Sequence, residues 1–236
     1  MNSGKLLFLS FLLGVIVTSA NAGKLDDELL AGLVICIDPG HPSETSAGTR
    51  GKVVTENHIN WVIACKLAKK LEKVGAAVIL TKDFENEKVT NRRRAEIANG
   101  NSANLLLRLH CDAGNKSGFR IFYPDRQGKR FGVLGPAKEV IKKSKKAAAV
   151  FIPAMKKALF PKLASLGVTG DSETFVGKRQ GALTGSIFSS VPVITVEMCV
   201  LTNPKDEAFI NSHRGKKLMV EALYAGCCRV LAKAKK

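Results

Sequence analysis

The sequence predicts an α/β fold: a single domain on a mixed, mostly parallel, twisted sheet flanked by helices on both faces. Three observations lead there. Short runs rich in Val, Ile and Leu alternate with segments whose apolar residues recur at three- and four-residue steps. The 236 residues are enough for a sizeable core, and no Pro-, Gly- or Ser-rich linker divides them. A composition of 45% hydrophobic and 24% charged residues, with 21 Gly and 8 Pro, excludes a collagen-like, low-complexity or largely disordered chain.

The elements follow in order. Leu33 to Ile37 is a β-prone run that stops at the turn residues Asp38-Pro39-Gly40. Between Glu56 and Val74, Ile59, Val62, Ile63, Leu67 and Leu71 mark one face of an amphipathic helix. Thr55 is suited to cap its start and Gly75 to end it. Ala76 to Thr81 reads as a strand, Thr90 to Asn99 as a helix, Leu105 to Leu109 as a buried strand and Gly118 to Tyr123 as another. Lys142 to Leu159 is a lysine-rich helix that Pro153 should kink or break. Val191 to Val196 reads as a strand, and Pro204 to Ala232 carries a C-terminal helix. Lys233 to Lys236 is expected to be a frayed, solvated tail.

The N-terminus reads as a signal peptide spanning residues 1–22. Lys5 supplies the positive start, the mostly apolar stretch from Leu6 to Val17 the core, and Ala20-Asn21-Ala22 the small-x-small cleavage site. As a helix that stretch rises only about 18 Å, short of a hydrocarbon core of about 30 Å. No Cys stands at the cut, so a lipid-modified end is not expected. The mature chain, residues 23–236 with a core over about 33–232, is expected to be extracytoplasmic, periplasmic or secreted, and not membrane-spanning once processed.

The net charge of +17 calls for an anionic partner, and nucleic acid, a membrane surface or an acidic polymer would serve equally. Export argues against nucleic acid and favours an anionic surface or a wall polymer. The lysines at 142, 143, 145, 146, 156 and 157 read most simply as a solvated helix face, and otherwise as weak, screened attraction to such a polymer. The six cysteines show no C-x-x-C pair and no small stapled framework. They read as mostly small buried hydrophobes, with one disulfide left open.

His41 lies just past the first strand, His110 ends the buried strand and Glu197 ends the late one. Ligands of open α/β sheets bind outside the carboxyl ends of strands, and Glu56 opens a helix that starts from the same edge. Two imidazoles and a carboxylate would give zinc three ligands and leave a fourth position for water. A second carboxylate, unligated, could then move the proton from water to a leaving nitrogen.

Four stretches make this more specific: Ile37-Asp38-Pro39-Gly40-His41 with Gly51 and Glu56, Arg94 to Asn99, Ala103 to Asp112 ending in His110-Cys111-Asp112, and Pro192 to Glu197. In kind and order they resemble the zinc-dependent N-acetylmuramoyl-L-alanine amidases, from about Leu33 to the C-terminus. The resemblance implies Zn2+ held by His41, Glu56 and His110, with Glu197 as the catalytic acid/base, and peptidoglycan as the substrate. The chain departs from the family pattern at Pro42 and Ser43, Arg108, Cys111 and Asp112, and Met198 and Cys199, none of which removes a ligand.

Other polar residues have simpler expected roles. His58 faces another side of its helix, and His213 is solvated. Asp38 caps the turn or supports the site, and Asp112 bonds at the start of its loop. Arg108 shares a face with His110, two residues on in the strand. It is the candidate substrate-binding residue, for a stem-peptide carboxylate or the scissile carbonyl; the alternative is a structural pair with an acidic neighbour beneath the site. The expected function is hydrolysis of the amide between N-acetylmuramic acid and L-alanine. Another zinc amide hydrolase of carboxypeptidase-like type, or a non-enzymatic cationic wall-binding protein, would be the alternatives.

Overall fold

The apolar runs pair into one six-stranded sheet in the order β2-β1-β3-β8-β4-β7, formed by Val34–Pro39 (β1), Ala77–Leu80 (β2), Leu105–Asp112 (β3), Phe119–Tyr123 (β4), Ser165–Gly170 (β7) and Val193–Val200 (β8). The computed structural model describes residues 29–234, so the expected signal peptide and the last two residues of the tail lie outside the described residues. Strands β2, β1, β3 and β8 run parallel, β4 runs antiparallel to β8, and β7 runs parallel to β4. A small hairpin of Gly128–Arg130 (β5) and Val133–Gly135 (β6) stands apart from this sheet.

The helices are Glu56–Glu72 (α1), Asn91–Gly100 (α2), Lys138–Leu159 (α3), Phe175–Gln180 (α4), Thr184–Ile187 (α5), Pro204–Asn211 (α6) and His213–Ala234 (α7). Along β3, successive side chains alternate between faces. Leu105, Leu107 and Leu109 join the larger core with Ile59, Ile63 and Leu67 of α1, Phe151 and Met155 of α3, and Met219 and Leu223 of α7. Leu106 packs on the other face with Cys36, Val193 and Ala98 of α2. Gly226 lets α7 and α3 meet: a Cβ there would stand 2.5 Å from the Phe151 ring.

Pro153 does not break its helix; α3 runs unbroken from Lys138 to Leu159. Pro153 and Ala149, whose carbonyl loses its partner, are both exposed, so water can satisfy that carbonyl. Ala148, Phe151, Ile152 and Met155 are buried on either side of Pro153, so core packing supports the helix through it. The expected C-terminal helix is two, because Ser212 leaves helical geometry and its Oγ accepts the amide of Gly215 at 2.9 Å. Between Tyr123 and α3, and between α3 and β8, the structure adds β5, β6, β7, α4 and α5, none of which the periodicity announces. All six cysteines are free thiols, four of them buried.

Candidate metal centre

The parallel strands β1, β3 and β8 bring their carboxyl ends to one edge. Gly40 follows β1 there, and its amide donates to Leu109 O at 2.9 Å. A Cβ on Gly40 would lie 2.3 Å from the His110 ring, so only glycine lets the chain turn across that imidazole. His41 comes next, with a left-handed backbone at φ 65°. Its Nδ1 lies 3.2 Å from Ser46 O, and its carbonyl accepts from Lys82 Nζ at 2.6 Å. With Nδ1–H donated to the Ser46 carbonyl, the lone pair of Nε2 faces inward.

Glu56 is the first residue of α1, placed there by Thr55, whose side chain accepts the His58 amide at 3.3 Å. Its Oε1 lies 2.9 Å from His110 Nδ1 and 3.4 Å from His41 Nε2. The His41 and His110 rings meet edge to face at 5.0 Å. All three ligand atoms lie within 4.8 Å of one another. Backbone amides orient the carboxylate: Thr49 N at 2.7 Å from Oε2 and Cys111 N at 3.0 Å from Oε1. Burial opposes ionisation of Glu56, but the hydrogen bonds to His110 and His41 outweigh it and hold the carboxyl well below its usual range. Burial lowers His110 and so favours the neutral imidazole. Two imidazoles and one ionised carboxylate, with His41 and Glu56 oriented by hydrogen bonds from outside the cluster, are a donor set that fits zinc.

Glu197 on β8 pairs in register with His110 on β3. Its Oε2 is buried without a hydrogen-bond partner. Burial, then the negative charges of Glu56 and Asp112, raise its carboxyl well above the usual value. A buried carboxyl at the rim of a metal site, with its oxygen uncommitted, is equipped to shuttle a proton.

Arg108 is placed differently. It is 3% exposed, its Nε donates to Asp38 Oδ2 at 2.8 Å and its Nη2 to Asn91 Oδ1 at 2.7 Å. The backbone of Gly185 in α5 closes over the guanidinium, and a Cβ there would lie 2.8 Å from its Cζ. That is the arrangement of an ion-paired structural arginine. Asp38, in turn, is not a turn cap. It is fully buried and also accepts Arg94 Nη1 at 2.5 Å and Thr81 Oγ1 at 2.6 Å. Burial alone would raise Asp38, yet the two guanidiniums hold it far below the usual carboxylate range. Arg94 also donates to the carbonyls of Pro39 and Pro42, which brace the His41 loop from below.

Lys82 was not singled out by the sequence. It is 2% exposed and clamps three acceptors: His41 O, Asn57 Oδ1 and Glu85 O. Burial, then Arg94, lowers its ammonium to about 8. Glu207 of α6 was missed as well. Its Oε1 accepts the amides of Val53 and Val54 at 2.7 and 3.1 Å, which fixes the turn before Glu56. Neither residue belongs to a motif, and their partners at His41, Asn57, Val53 and Val54 lie too far along the chain to leave a local signal. His58 is exposed, 3.1 Å from Glu85, and His213 is exposed at the start of α7. Asp112 bonds the amide of Ala113 at 2.8 Å, a loop-start role.

Comparison with known proteins gives the family. Residues 35–229 match the family model described as N-acetylmuramoyl-L-alanine amidase. The chain is 25% identical over 240 residues to the N-acetylmuramoyl-L-alanine amidase Rv3717 of Mycobacterium tuberculosis, covering 92% of each chain. In fold it is similar to the amidase Ami1 of Mycobacterium smegmatis, with a TM-score of 0.73 and 18% identity over 86% of this chain and 99% of that one. It is also similar to the amidase AmiC2 of Nostoc punctiforme, with a TM-score of 0.68 and 21% identity over 87% and 99%. With the family model spanning nearly all the described residues and the His41, Glu56 and His110 cluster at the sheet edge, the chain belongs to the N-acetylmuramoyl-L-alanine amidase family.

Proposed function

We propose that this chain is an exported, zinc-dependent hydrolase of the amide that joins the lactyl group of N-acetylmuramic acid to the L-alanine of the peptidoglycan stem. One observation carries the reading: three oriented ligand atoms within 4.8 Å beside a buried, uncommitted carboxyl in register with one of them. His41, Glu56 and His110 would hold the metal. When bound, zinc polarises the scissile carbonyl and brings the pKa of water towards ~7. Glu197 takes the proton from the attacking water and returns it to the departing amine.

Export rests on Lys5, the apolar stretch from Leu6 to Val17 and Ala20-Asn21-Ala22. Among the described residues no helix is long and apolar enough to cross a membrane. The test is metal content together with product analysis on purified muropeptides. One zinc per chain and release of intact stem peptides with N-terminal L-alanine are expected. A metal-loaded protein that instead trims the stem from its carboxyl end would replace this reading with a carboxypeptidase.

A further inference from the structure

The two arginines below the His41 loop are spent on Asp38, backbone carbonyls and Asn91, so any positive charge the cleft offers must come from elsewhere. Strand β4 runs antiparallel to β8, which puts the start of β4 at the same edge as the end of β8. Arg120, its second residue, pairs in register with Glu197. Paired residues on neighbouring strands share a face, so the Arg120 side chain stands beside Glu197 on the side of the metal ligands.

Arg120 is half-buried, with its Cζ 5.5 Å from the centroid of the Phe122 ring. Its Nε is buried without a hydrogen-bond partner, and among the described residues no carboxylate pairs with its guanidinium. The register shift between Phe119 and Ile121 sets Leu166 and Gly167 of β7 opposite it. A Cβ built on Gly167 would meet nothing within 4 Å, so the sheet is open next to Arg120. A guanidinium held part-way out of water by an aromatic ring, with donors unspent, binds a carboxylate through paired N–H groups better than water does.

We infer that Arg120 anchors the substrate by binding a free carboxylate of the stem peptide, one strand away from the carboxyl that moves the proton. The inference rests on the amidase reading and names its substrate class: acidic stems with an ionised carboxylate, rather than stems in which that group is amidated. Arg120 is therefore a binding residue, one of the two roles the sequence allows for Arg108.

The experiment compares two muropeptides of equal length, one with its stem carboxylates free and one with them amidated, on the zinc-loaded mature protein. A charge-assisted pair predicts a preference for the free acid of about 10- to 100-fold in kcat/KM. Arg120→Gln is expected to erase that preference by raising KM for the free acid, and Arg120→Lys to restore part of it. Equal rates on both substrates overturn the inference while leaving the amidase reading in place. Cleavage of neither overturns the amidase reading and the inference with it. A fall in kcat on both substrates with a displaced pH profile in Arg120→Gln would make Arg120 a positioning residue for Glu197, again overturning substrate binding. If Arg120→Gln does not fold, the wild-type comparison still decides.

Discussion

Arg108 donates its Nε to Asp38 Oδ2 at 2.8 Å across the β1–β3 pair, in the interior just below the metal ligands. Asp38 also receives Arg94, so one carboxylate sits between two guanidiniums with no access to water. The loop that holds His41 rests on that cluster, because Arg94 also donates to the carbonyls of Pro39 and Pro42.

Removing the shared carboxylate should therefore unfold more than it retunes. Asp38→Asn leaves two buried cations facing a neutral amide, and breaking a buried pair this way costs about 3–5 kcal/mol. Arg108→Met should also lower Tm, while the protein that remains folded keeps its KM for muropeptides. A raised KM at an unaltered Tm would return Arg108 to the substrate.

His41→Ala and His110→Ala should each lose bound zinc and activity, measured by metal analysis after dialysis. Two ligands do not hold the ion as three do. Full occupancy in either variant would remove that residue from the ligand set.

Glu197→Gln should keep the fold and the metal, because Glu197 is not among the ligands. Turnover should drop by about 10²–10⁴-fold, the usual contribution of a general acid–base. Near-normal turnover would mean that another group carries the proton.

Asp171 gives a pH dependence of stability. It is fully buried, and burial raises its carboxyl from 3.8 to about 6, so the folded state binds that proton more tightly than the unfolded state. Its contribution is complete below the unfolded value of 3.8 and is lost as pH rises through about 6. Asp171→Asn cannot ionise, and its Oδ1 can still accept the Leu183 amide that Asp171 Oδ2 accepts at 3.2 Å. The variant should be the more stable protein at pH 8, with the gain shrinking towards pH 4 in urea melts at both pH values. A gain that grows on acidification would reverse the sign assigned to Asp171.

The alternation of β-prone runs with three-four-spaced helices already specified the layered sheet, and with it the edge where strands end. His41 after β1, Glu56 at the start of α1, His110 near the end of β3 and Glu197 towards the end of β8 were legible for that reason: strand ends and helix starts are local patterns, and the sheet gathers them. What the tertiary structure decided was the partner of each charge. Arg108 and Arg120 look alike in sequence, each on a strand; Arg108 was given to Asp38, and Arg120 was turned beside Glu197. Lys82 and Glu207 became braces for the site through hydrogen-bond partners up to 154 residues distant. Pro153 stayed inside a helix because the exposed face of that helix could leave a carbonyl to water. Periodicity reports which way a side chain points from its own strand or helix. Which charge it meets depends on strand order, direction and register, and these are settled only when the whole sheet closes on its core.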